Sequence, residues 1–404
     1  MVNPRDAVVA TYRLAGDFPL EESARVVAME QSTGTWTPVE KRADSLEERL
    51  AAWVDGTDAA AGTARIAFPL EIFESDNLPG FLSIVAGNLF GLGSLRRARL
   101  LDLEFPDAFV RHYPGPAFGI AGVRKAVGTT SSGRPHGGTI VKPKVGLDPK
   151  GTAARAKEAA LGGVDLIKDD ETLTDQGFCP LDERARLVLE ALDQAREETG
   201  KPCLYAVNLT ASAADVLDRW DTVRQYGPNC VMIDFLTAGL DALVRLRNAV
   251  DVPIHVHRTM HGALTRAADF GIDMRAWVRL VRLCGGDQLH IGSASGKMDR
   301  PDDLPGLLSA CRDGLHGLRP LFPVSSGGLH PASVPHEVAA FGSDVVLQAG
   351  GGIHGHPDGS VAGARAFMRA IDAAHAGRRL EDEDSPELRV ALKEWGDETY
   401  AYQT

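Results

Sequence analysis

Short apolar runs rich in β-branched residues recur through the last two thirds of the chain. Runs of this length and composition are typical of buried strands. The predicted strands are a first that ends at Lys142, followed by 165–168, 204–207, 231–234, 253–257, 288–291, 321–324 and 344–347. The pattern therefore predicts eight strands.

Segments with helical spacing of apolar positions lie between these runs. They are residues 153–161, 181–198, 213–226, 240–249, 274–284, 304–315 and 362–374. Alternation of strand and helix over this length predicts an α/β protein whose residues 138–374 form a closed parallel (β/α)₈ barrel, the TIM barrel.

The segment before the barrel has a different pattern. Strands are predicted at 7–14, 63–70 and 99–105 and helices at 21–31 and 80–90, which indicates a small α+β domain of ferredoxin-like type. With a Pro- and Gly-rich connection from Tyr113 to His136, this domain is predicted to occupy residues 1–137. Residues 375–404 form a charged C-terminal tail.

Polar residues follow the ends of the predicted strands, where TIM barrels carry their chemistry. The second strand is followed by Lys168, Asp170 and Glu171. Carboxylates suit Mg²⁺ and an amine does not, so Lys168 would become a ligand only as a carbamate formed with CO₂. Taken alone, the run has an equally good alternative as a solvated turn with a salt bridge.

Composition excludes several classes of function. The chain has 404 residues, 44% of them hydrophobic, and a net charge of −12 without a basic stripe, so nucleic acid is not an expected partner. No apolar stretch approaches the length of a membrane span, and the N-terminus lacks the layout of a signal peptide, so a cytoplasmic protein is expected. Five scattered cysteines are typical of reduced thiols.

Nine sequence blocks, in order, resemble the large subunit of ribulose-bisphosphate carboxylase (RuBisCO). They begin at Glu30 (EQSTGTWT), Gly87 (GNLFG), Lys142 (KPK), Lys168 (KDDE), His257 (HRTMH), Gly285 (GGDQLH), Gly296 (GK), Ser326 (SGG) and Gln348 (QAGGG). The blocks span most of the chain, from about Val26 to Ala374.

The resemblance implies a role for each matching position. Lys168 would be the carbamylated lysine that holds Mg²⁺ with Asp170 and Glu171. Catalytic roles would fall to Lys142, Lys144, His257, His290 and Lys297. Substrate contacts would come from Glu30, Thr35, Trp36, Asn88, Arg258, His261, Ser326, Gly327, Gly328, Gly350 and Gly351, the first four from the N-terminal domain of a second subunit.

These roles agree with the chemistry of an enediolate. Removing a proton next to a carbonyl creates negative charge that a Lewis acid and clustered lysines stabilise. Glycine pairs at strand ends allow backbone N–H groups to approach phosphate oxygens. Each feature also has a simpler interpretation: the glycines as ordinary turns, and His257 and His261 as packed core histidines.

The loop that carries Lys297 departs from the carboxylase pattern. It reads Gly292-Ser-Ala-Ser-Gly-Lys297-Met-Asp-Arg, where carboxylases carry a threonine, two valines and a lysine-leucine-acidic sequence. This departure indicates a RuBisCO-like protein of type IV, which reuses the enolising machinery. Since Lys297 is kept, the sequence favours a lyase that decarboxylates or cleaves a phosphorylated 3-oxo sugar acid, of the 3-oxo-isoapionate 4-phosphate type.

Three alternatives stay open: an enolase or isomerase acting on methylthioribulose-type sugar phosphates, a true ribulose-bisphosphate carboxylase, and a non-catalytic binding protein. In each enzymatic case, the expected ligand is a phosphorylated small molecule. The resemblance also implies a homodimer or higher homo-oligomer.

Overall fold

The computed structural model describes residues 7–34, 37, 45–297 and 303–396. They form two compact units. The first contains the described residues up to Gly115 together with Met260–Cys284 and Gly314–Leu318, and the second contains Pro116–Thr259, Gly285–Asp313 and the described residues from Arg319 onwards.

Strands and helices are numbered along the chain. The strands are β1 (Ala7–Gly16), β2 (Trp53–Asp58), β3 (Thr63–Pro69), β4 (Leu95–Glu104), β5 (His136–Ile140), β6 (Leu166–Lys168), β7 (Leu204–Asn208), β8 (Cys230–Asp234), β9 (Ile254–His257), β10 (Phe270–Ile272), β11 (Gln288–His290), β12 (Phe322–Ser326) and β13 (Val346–Ala349).

The α-helices are α1 (Leu20–Glu30), α2 (Ser45–Leu50), α3 (Leu78–Val85), α4 (Asp107–Val110), α5 (Gly119–Val127), α6 (Pro149–Leu161), α7 (Leu181–Thr199), α8 (Val216–Val223), α9 (Phe235–Ala238), α10 (Leu240–Ala249), α11 (Gly262–Thr265), α12 (Met274–Cys284), α13 (Leu304–Arg312), α14 (Val334–Phe341), α15 (Gly351–His354), α16 (Ser360–His375) and α17 (Pro386–Trp395). Single turns of 3₁₀ helix occur at Leu70–Ile72, Asn88–Gly91, Arg224–Tyr226, Pro331–Ser333 and Leu380–Asp382.

The first unit is built on a five-stranded sheet in the order β10-β4-β1-β3-β2. The pairs of β1 with β3 and β4, and of β2 with β3, are antiparallel, while β10 joins the edge of β4 in parallel. In β1 the side chains of Val8, Ala10, Tyr12 and Leu14 are buried, the period of two expected for a strand with one face on a core.

The second unit contains a closed barrel of eight parallel strands in the order β5-β6-β7-β8-β9-β11-β12-β13. These are the eight strands expected from the apolar runs, and α6, α7, α8 and α10 occupy the intervals where helical spacing predicted helices. The barrel and the small domain with an antiparallel sheet confirm the predicted fold class.

The lower end of the barrel, where the strands begin, is filled by α5. Val123 and Val127 of this helix are buried in one cluster with barrel residues that include Leu166, Met232 and Phe322. Helix α5 lies within the Pro- and Gly-rich connection, which the sequence pattern did not identify as helical.

A buried carboxylate fastens the start of α5 to the barrel. Asp287 accepts hydrogen bonds from the backbone N–H groups of Phe118 (2.6 Å) and Gly119 (2.8 Å) on one oxygen. Its other oxygen accepts from Arg247 Nη1 and from the N–H of Ile254, both at 2.9 Å. Burial raises the pKa of Asp287, and the four donors offset part of the cost of its charge.

Among the described residues, no helix is long and apolar enough to cross a membrane. In the described part of the C-terminal segment, α17 buries Leu388 and Ala391.

Candidate active site

Lys168 is the last residue of β6 and points into the barrel, and its side chain is 1% exposed. Its Nζ donates to the backbone oxygen of Asp169 (2.9 Å) and to Glu171 Oε2 (3.2 Å). Burial lowers the pKa of Lys168 below its ordinary value, although Glu171 and Asp170 act in the opposite direction. Burial therefore increases the fraction of the neutral amine, the form that reacts with CO₂.

Two further lysines reach the same carboxylates. Lys142 Nζ donates to Asp170 Oδ2 at 2.7 Å, and Lys144 Nζ lies 3.5 Å from Glu171 Oε1. Burial would raise the pKa of Glu171, but Lys168, His257 and Lys144 hold it well below its usual range. The pKa of Asp170 is lowered as well, because the hydrogen bonds from Lys142 and Thr172 outweigh burial and repulsion by Glu171. Both carboxylates are therefore ionised at neutral pH.

The donor set fits a carbamate-linked Mg²⁺ site. Asp170 and Glu171 supply two carboxylates, and within the described part of the chain no three His, Cys, Asp or Glu side chains are grouped to hold a metal. A third oxygen ligand would come from Lys168 after addition of CO₂, since its amine lies 3.2 Å from Glu171. Hard oxygen ligands of this kind are those that Mg²⁺ prefers.

Asp169 points away from this cluster and holds it in place. Its buried carboxylate accepts from Tyr205 OH (2.7 Å), from the backbone N–H of Asn208 (2.9 Å) and from Arg184 Nε (3.2 Å). Arg184 is fully buried. Because side chains alternate along a strand, Lys168 and Asp170 face the barrel interior when Asp169 is fixed outside it.

Asn208, at the end of β7, supports the same segment from the other side. Its Nδ2 donates to the carbonyl oxygens of Leu173 (3.0 Å), Asp170 (3.3 Å) and Glu171 (3.4 Å). Asn208 directly follows the predicted strand 204–207, but the sequence gave it no role, and Arg184 and Tyr205 were not identified as site residues.

His257 connects the carboxylates to the histidines. Its Nδ1 lies 3.5 Å from Asp234 Oδ2 and its Nε2 lies 3.6 Å from Glu171 Oε2. Burial and then the charge of Lys168 lower the pKa of His257, so the imidazole is neutral at pH 7. Nδ1 accepts a hydrogen bond from the backbone N–H of Thr259 at 3.2 Å, so the ring proton lies on Nε2, on the side of Glu171.

A hydrogen-bonded row crosses the barrel interior from Gln288 through His255 and His290 to Ser326. The distances are 2.6 Å from Gln288 Oε1 to His255 Nδ1, 2.8 Å between the two Nε2 atoms, and 2.7 Å from His290 Nδ1 to Ser326 Oγ. Burial lowers the pKa of His255 to about 3 and that of His290 well below its usual value, so both are neutral. An amide oxygen only accepts, so His255 carries its proton on Nδ1, His290 on Nε2, and Ser326 donates to His290.

Arg258 follows β9 and carries a charge suited to an anion. Removal from water lowers the pKa of Arg258 to about 10, which leaves the guanidinium charged at neutral pH. No carboxylate of the described residues forms a salt bridge with it. A charged guanidinium of this kind is suited to phosphate.

Two glycines after β12 have backbone conformations that favour glycine, and Gly350 after β13 leaves space for the side chain of Lys142. Gly327 and Gly328 have φ values of +117° and +101°. At Gly350 a Cβ atom would lie 2.9 Å from Cε of Lys142. The space beside Gly350 is therefore part of the Lys142 site.

Other predicted site residues belong to the first unit or lie outside the described residues. In the first unit, Asn88 Nδ2 lies 3.4 Å from Glu30 Oε1, and His261 Nδ1 lies 2.9 Å from Thr265 Oγ1. Thr35 and Trp36 lie outside the described residues, so their assignment stays a prediction. In the second unit, Lys297 is exposed, and its backbone N–H donates to Gly327 O at 2.7 Å.

Two sequence profiles match this chain. "Ribulose bisphosphate carboxylase large chain, catalytic domain" matches residues 119–395, and the corresponding N-terminal domain matches residues 2–109. Curated relatives named ribulose bisphosphate carboxylase include one from Methanocaldococcus jannaschii, 42% identical over 93% of this chain and 94% of its own length, and one from Archaeoglobus fulgidus, 38% identical over 97% and 95%.

Solved structures give the same result. The octameric RuBisCO of Pyrococcus horikoshii has a TM-score of 0.90 at 38% identity, covering 98% of this chain and 95% of that one. A dimeric archaeal RuBisCO from Hyperthermus butylicus has a TM-score of 0.86 at 35% identity, covering 97% and 96%.

Proposed function

Because the chain belongs to the RuBisCO large-chain family, with both of its domains, we propose that it carboxylates ribulose bisphosphate through an enediolate. The sequence pattern alone favoured decarboxylation or cleavage of a 3-oxo sugar acid phosphate. The relatives support carboxylation better, since those at about 40% identity over nearly the whole chain carry the name of that enzyme. Assignment to type IV has no support beyond the loop sequence.

The observation that carries the proposal is the cluster at the ends of β5 and β6. Lys168, with its pKa lowered by burial, donates to the ionised carboxylate of Glu171, and Lys142 donates to that of Asp170. Lys168, as its carbamate, with Asp170 and Glu171 would hold Mg²⁺. When bound, the ion would supply positive charge to stabilise a negatively charged oxygen of the substrate.

The chain's own residues would carry the proton and orient the substrate. Lys142 Nζ, whose position is fixed by Asp170, would move the proton at the carbon next to the carbonyl, and Lys144 would balance the charge that develops. Arg258 and the N–H groups of Gly327 and Gly328 would bind phosphate. Lys297 would direct the addition of CO₂.

Ser326 would receive a hydroxyl group of the substrate. Its own proton is donated to His290, so its lone pairs are the part of the hydroxyl left to face a ligand. We assign His257, neutral and with its Nε2 proton on the side of Glu171, to hold that carboxylate in place.

A second candidate, decarboxylation or C–C cleavage of a 3-oxo sugar acid phosphate, is favoured by the loop before Lys297. Its Ser-Ala-Ser-Gly sequence differs from that of carboxylases, and Ser295 uses its hydroxyl in a hydrogen bond to a buried carboxylate. Both reactions pass through an enediolate, so the cluster at Lys168 serves either.

The experiment that decides is fixation of ¹⁴C-bicarbonate into acid-stable product with ribulose 1,5-bisphosphate and Mg²⁺. Incorporation by the wild type and none by Lys168→Ala would support carboxylation. No incorporation, together with CO₂ release from a 3-oxo sugar acid phosphate, would replace it with the second candidate. A Glu190→Gln variant, altered on the exposed face of α7, is the matched surface control.

We also propose a homo-oligomer, because the similar solved structures are of octameric and dimeric enzymes. The predicted substrate contacts of Glu30, Thr35, Trp36 and Asn88 would then come from a neighbouring subunit. Light scattering coupled to gel filtration measures the mass, and a monomer at micromolar concentration would contradict the proposal.

A further inference from the structure

Glu337 is a fully buried carboxylate on α14, outside the set of residues that the sequence predicted for the site. A buried charge without partners is strongly unfavourable. Its surroundings therefore have to supply hydrogen-bond donors, and these donors identify what the residue holds.

Four donors converge on this one carboxylate. Oε1 accepts from the backbone N–H of Ser295 (2.7 Å) and from its hydroxyl (2.5 Å). Oε2 accepts from the N–H of Ala294 (3.1 Å) and from the hydroxyl of Ser325 (2.6 Å). Three donors thus come from the loop after β11, and the fourth comes from β12.

Both segments lead directly to proposed site residues. Ser295 precedes Lys297 by two positions, and Ser325 precedes Ser326 by one. The carboxylate of Glu337 therefore joins the backbone that carries Lys297 to the strand that carries Ser326. Charge-assisted hydrogen bonds of this kind are about twice as strong as neutral ones.

The loop also packs closely against the residues that follow β12. Lys297 N–H donates to Gly327 O at 2.7 Å, and Gly296 N–H donates to Ser293 Oγ at 3.0 Å. A Cβ atom at Gly296 would lie 2.2 Å from Ser293 Oγ and 2.4 Å from Gly327 O. The backbone that leads to Lys297 is consequently held at two points, by Glu337 at Ala294 and Ser295 and by the carbonyl oxygen of Gly327 at Lys297 itself.

We propose that Glu337 is a positioning residue that, through Ser295 and Ser325, fixes the point from which Lys297 reaches the enediolate. That Lys297 acts on CO₂ addition rests on the proposed carboxylation. Glu337 acts after enolisation, because its contacts lead to Lys297 and Ser326 and not to Lys142 or Lys168. The hydroxyl groups of Ser295 and Ser325 donate two of the four hydrogen bonds through which Glu337 acts.

The test compares two partial reactions in the same protein. Enolisation is measured as exchange of the substrate proton with D₂O, and carboxylation as ¹⁴C fixation. In Glu337→Gln one acceptor oxygen becomes a donor and opposes two of the four groups, so carboxylation should fall about tenfold or more while exchange stays within about twofold. Ser295→Ala, which removes one donor and no charge, should show the same split to a smaller extent.

Asp287→Asn is the matched control. Asp287 is also fully buried and also receives two donors on each oxygen, but it lies at the opposite end of the barrel. It should lose stability without changing the ratio of carboxylation to exchange. Equal losses of both activities in Glu337→Gln, or the same ratio in all three variants, would overturn the proposal.

Hydrogen–deuterium exchange of the peptide that spans 291–297 separates this inference from the proposed function. The amides of Ala294 and Ser295 should exchange about tenfold faster in Glu337→Gln and at the wild-type rate in Asp287→Asn. Unchanged exchange would overturn the role of Glu337 whatever the reaction. If the amides exchange faster but the wild-type protein fixes no CO₂, the positioning role of Glu337 stands and the proposed carboxylation is wrong.

Discussion

Replacing Gly350 by alanine should reduce catalysis without weakening the fold. The backbone of Gly350 has φ −91° and ψ −79°, which an L-residue tolerates without the penalty of positive φ. The new methyl group would lie 2.9 Å from Cε of Lys142 and 3.6 Å from its Cγ. The only close neighbour is thus the far part of a flexible side chain.

The structure gives the size of the effect. Ordinary carbon contacts begin near 3.4 Å, so Cε of Lys142 has to move by about 0.5 Å or more. That movement shifts Nζ from its 2.7 Å hydrogen bond to Asp170. Since a misplacement of about 1 Å costs up to about a hundredfold in rate, we expect enolisation to slow by about tenfold. The stability should stay within about 1 kcal/mol of the wild type, because alanine also restricts the unfolded chain.

The assay is substrate proton exchange in D₂O, read beside urea denaturation of the same preparations. Gly177→Ala is the matched control, because a Cβ atom at Gly177 meets no atom within 4 Å. Wild-type exchange in Gly350→Ala would refute the reasoning, as would a loss that appears only in KM for the substrate. The first result would mean that Lys142 is not the proton carrier, and the second that the methyl group acts on the ligand instead.

Three further predictions concern the charges around the site and the barrel. Tyr205→Phe removes a hydrogen-bond donor from the ionised Asp169 and should lower the free energy of unfolding by about 2 kcal/mol. The control Tyr12→Phe, which removes a donor to a neutral carbonyl, should lower it by about 1 kcal/mol. Equal losses in urea titrations would contradict a charged Asp169. Burial lowers the pKa of His136 from 6.5 to about 4, so its contribution to stability is complete above pH 6.5 and is lost as the pH falls towards 4. His136→Gln should therefore flatten the stability curve in that window by up to about 1.4 kcal/mol per pH unit, and an unchanged slope would refute this. Lys168→Arg should abolish the carbamate ¹³C resonance seen with ¹³C-bicarbonate and weaken Mg²⁺ binding measured by calorimetry, whereas a persisting resonance would place the carbamate on another lysine.

The barrel could be predicted from the sequence because its strands are self-contained signals. Runs such as 204–207 and 231–234 are apolar on both faces, as the strands of a buried parallel sheet have to be. The polar residues that follow them, among them Lys168 and His257, marked the functional end. The N-terminal strands at 7–14 and 63–70 were identified for the same reason, with ends that differ by one or two residues.

The elements that were missed depend on partners far along the chain. Strand β10 has only three residues and exists because it pairs with β4, more than 160 positions earlier. Helix α5 lies in a segment whose prolines and glycines are typical of a linker, and only its packing under the barrel explains it. Short or locally weak signals of this kind are decided by tertiary contacts.

The missed site residues share a different cause. Arg184 and Glu337 lie on amphipathic helices, where a charged residue is ordinarily interpreted as solvent-exposed. Burial of each depends on partners that periodicity does not show: Asp169 for the arginine, and the backbone near Ser295 for the glutamate. The sequence pattern favoured decarboxylation because the loop sequence was given more weight than the similarity of the whole chain, which supports the carboxylase alternative better.

Helix α5 has a consequence for traffic through the barrel. Val123 and Val127 fill the lower end of the barrel with apolar side chains, so the molecules of the proposed reaction would enter at the end where the strands finish. A small reactant would then approach from the same side as a substrate that is already bound. The order in which the two arrive, and the time the larger one stays, would therefore influence which small molecule meets the reactive carbon.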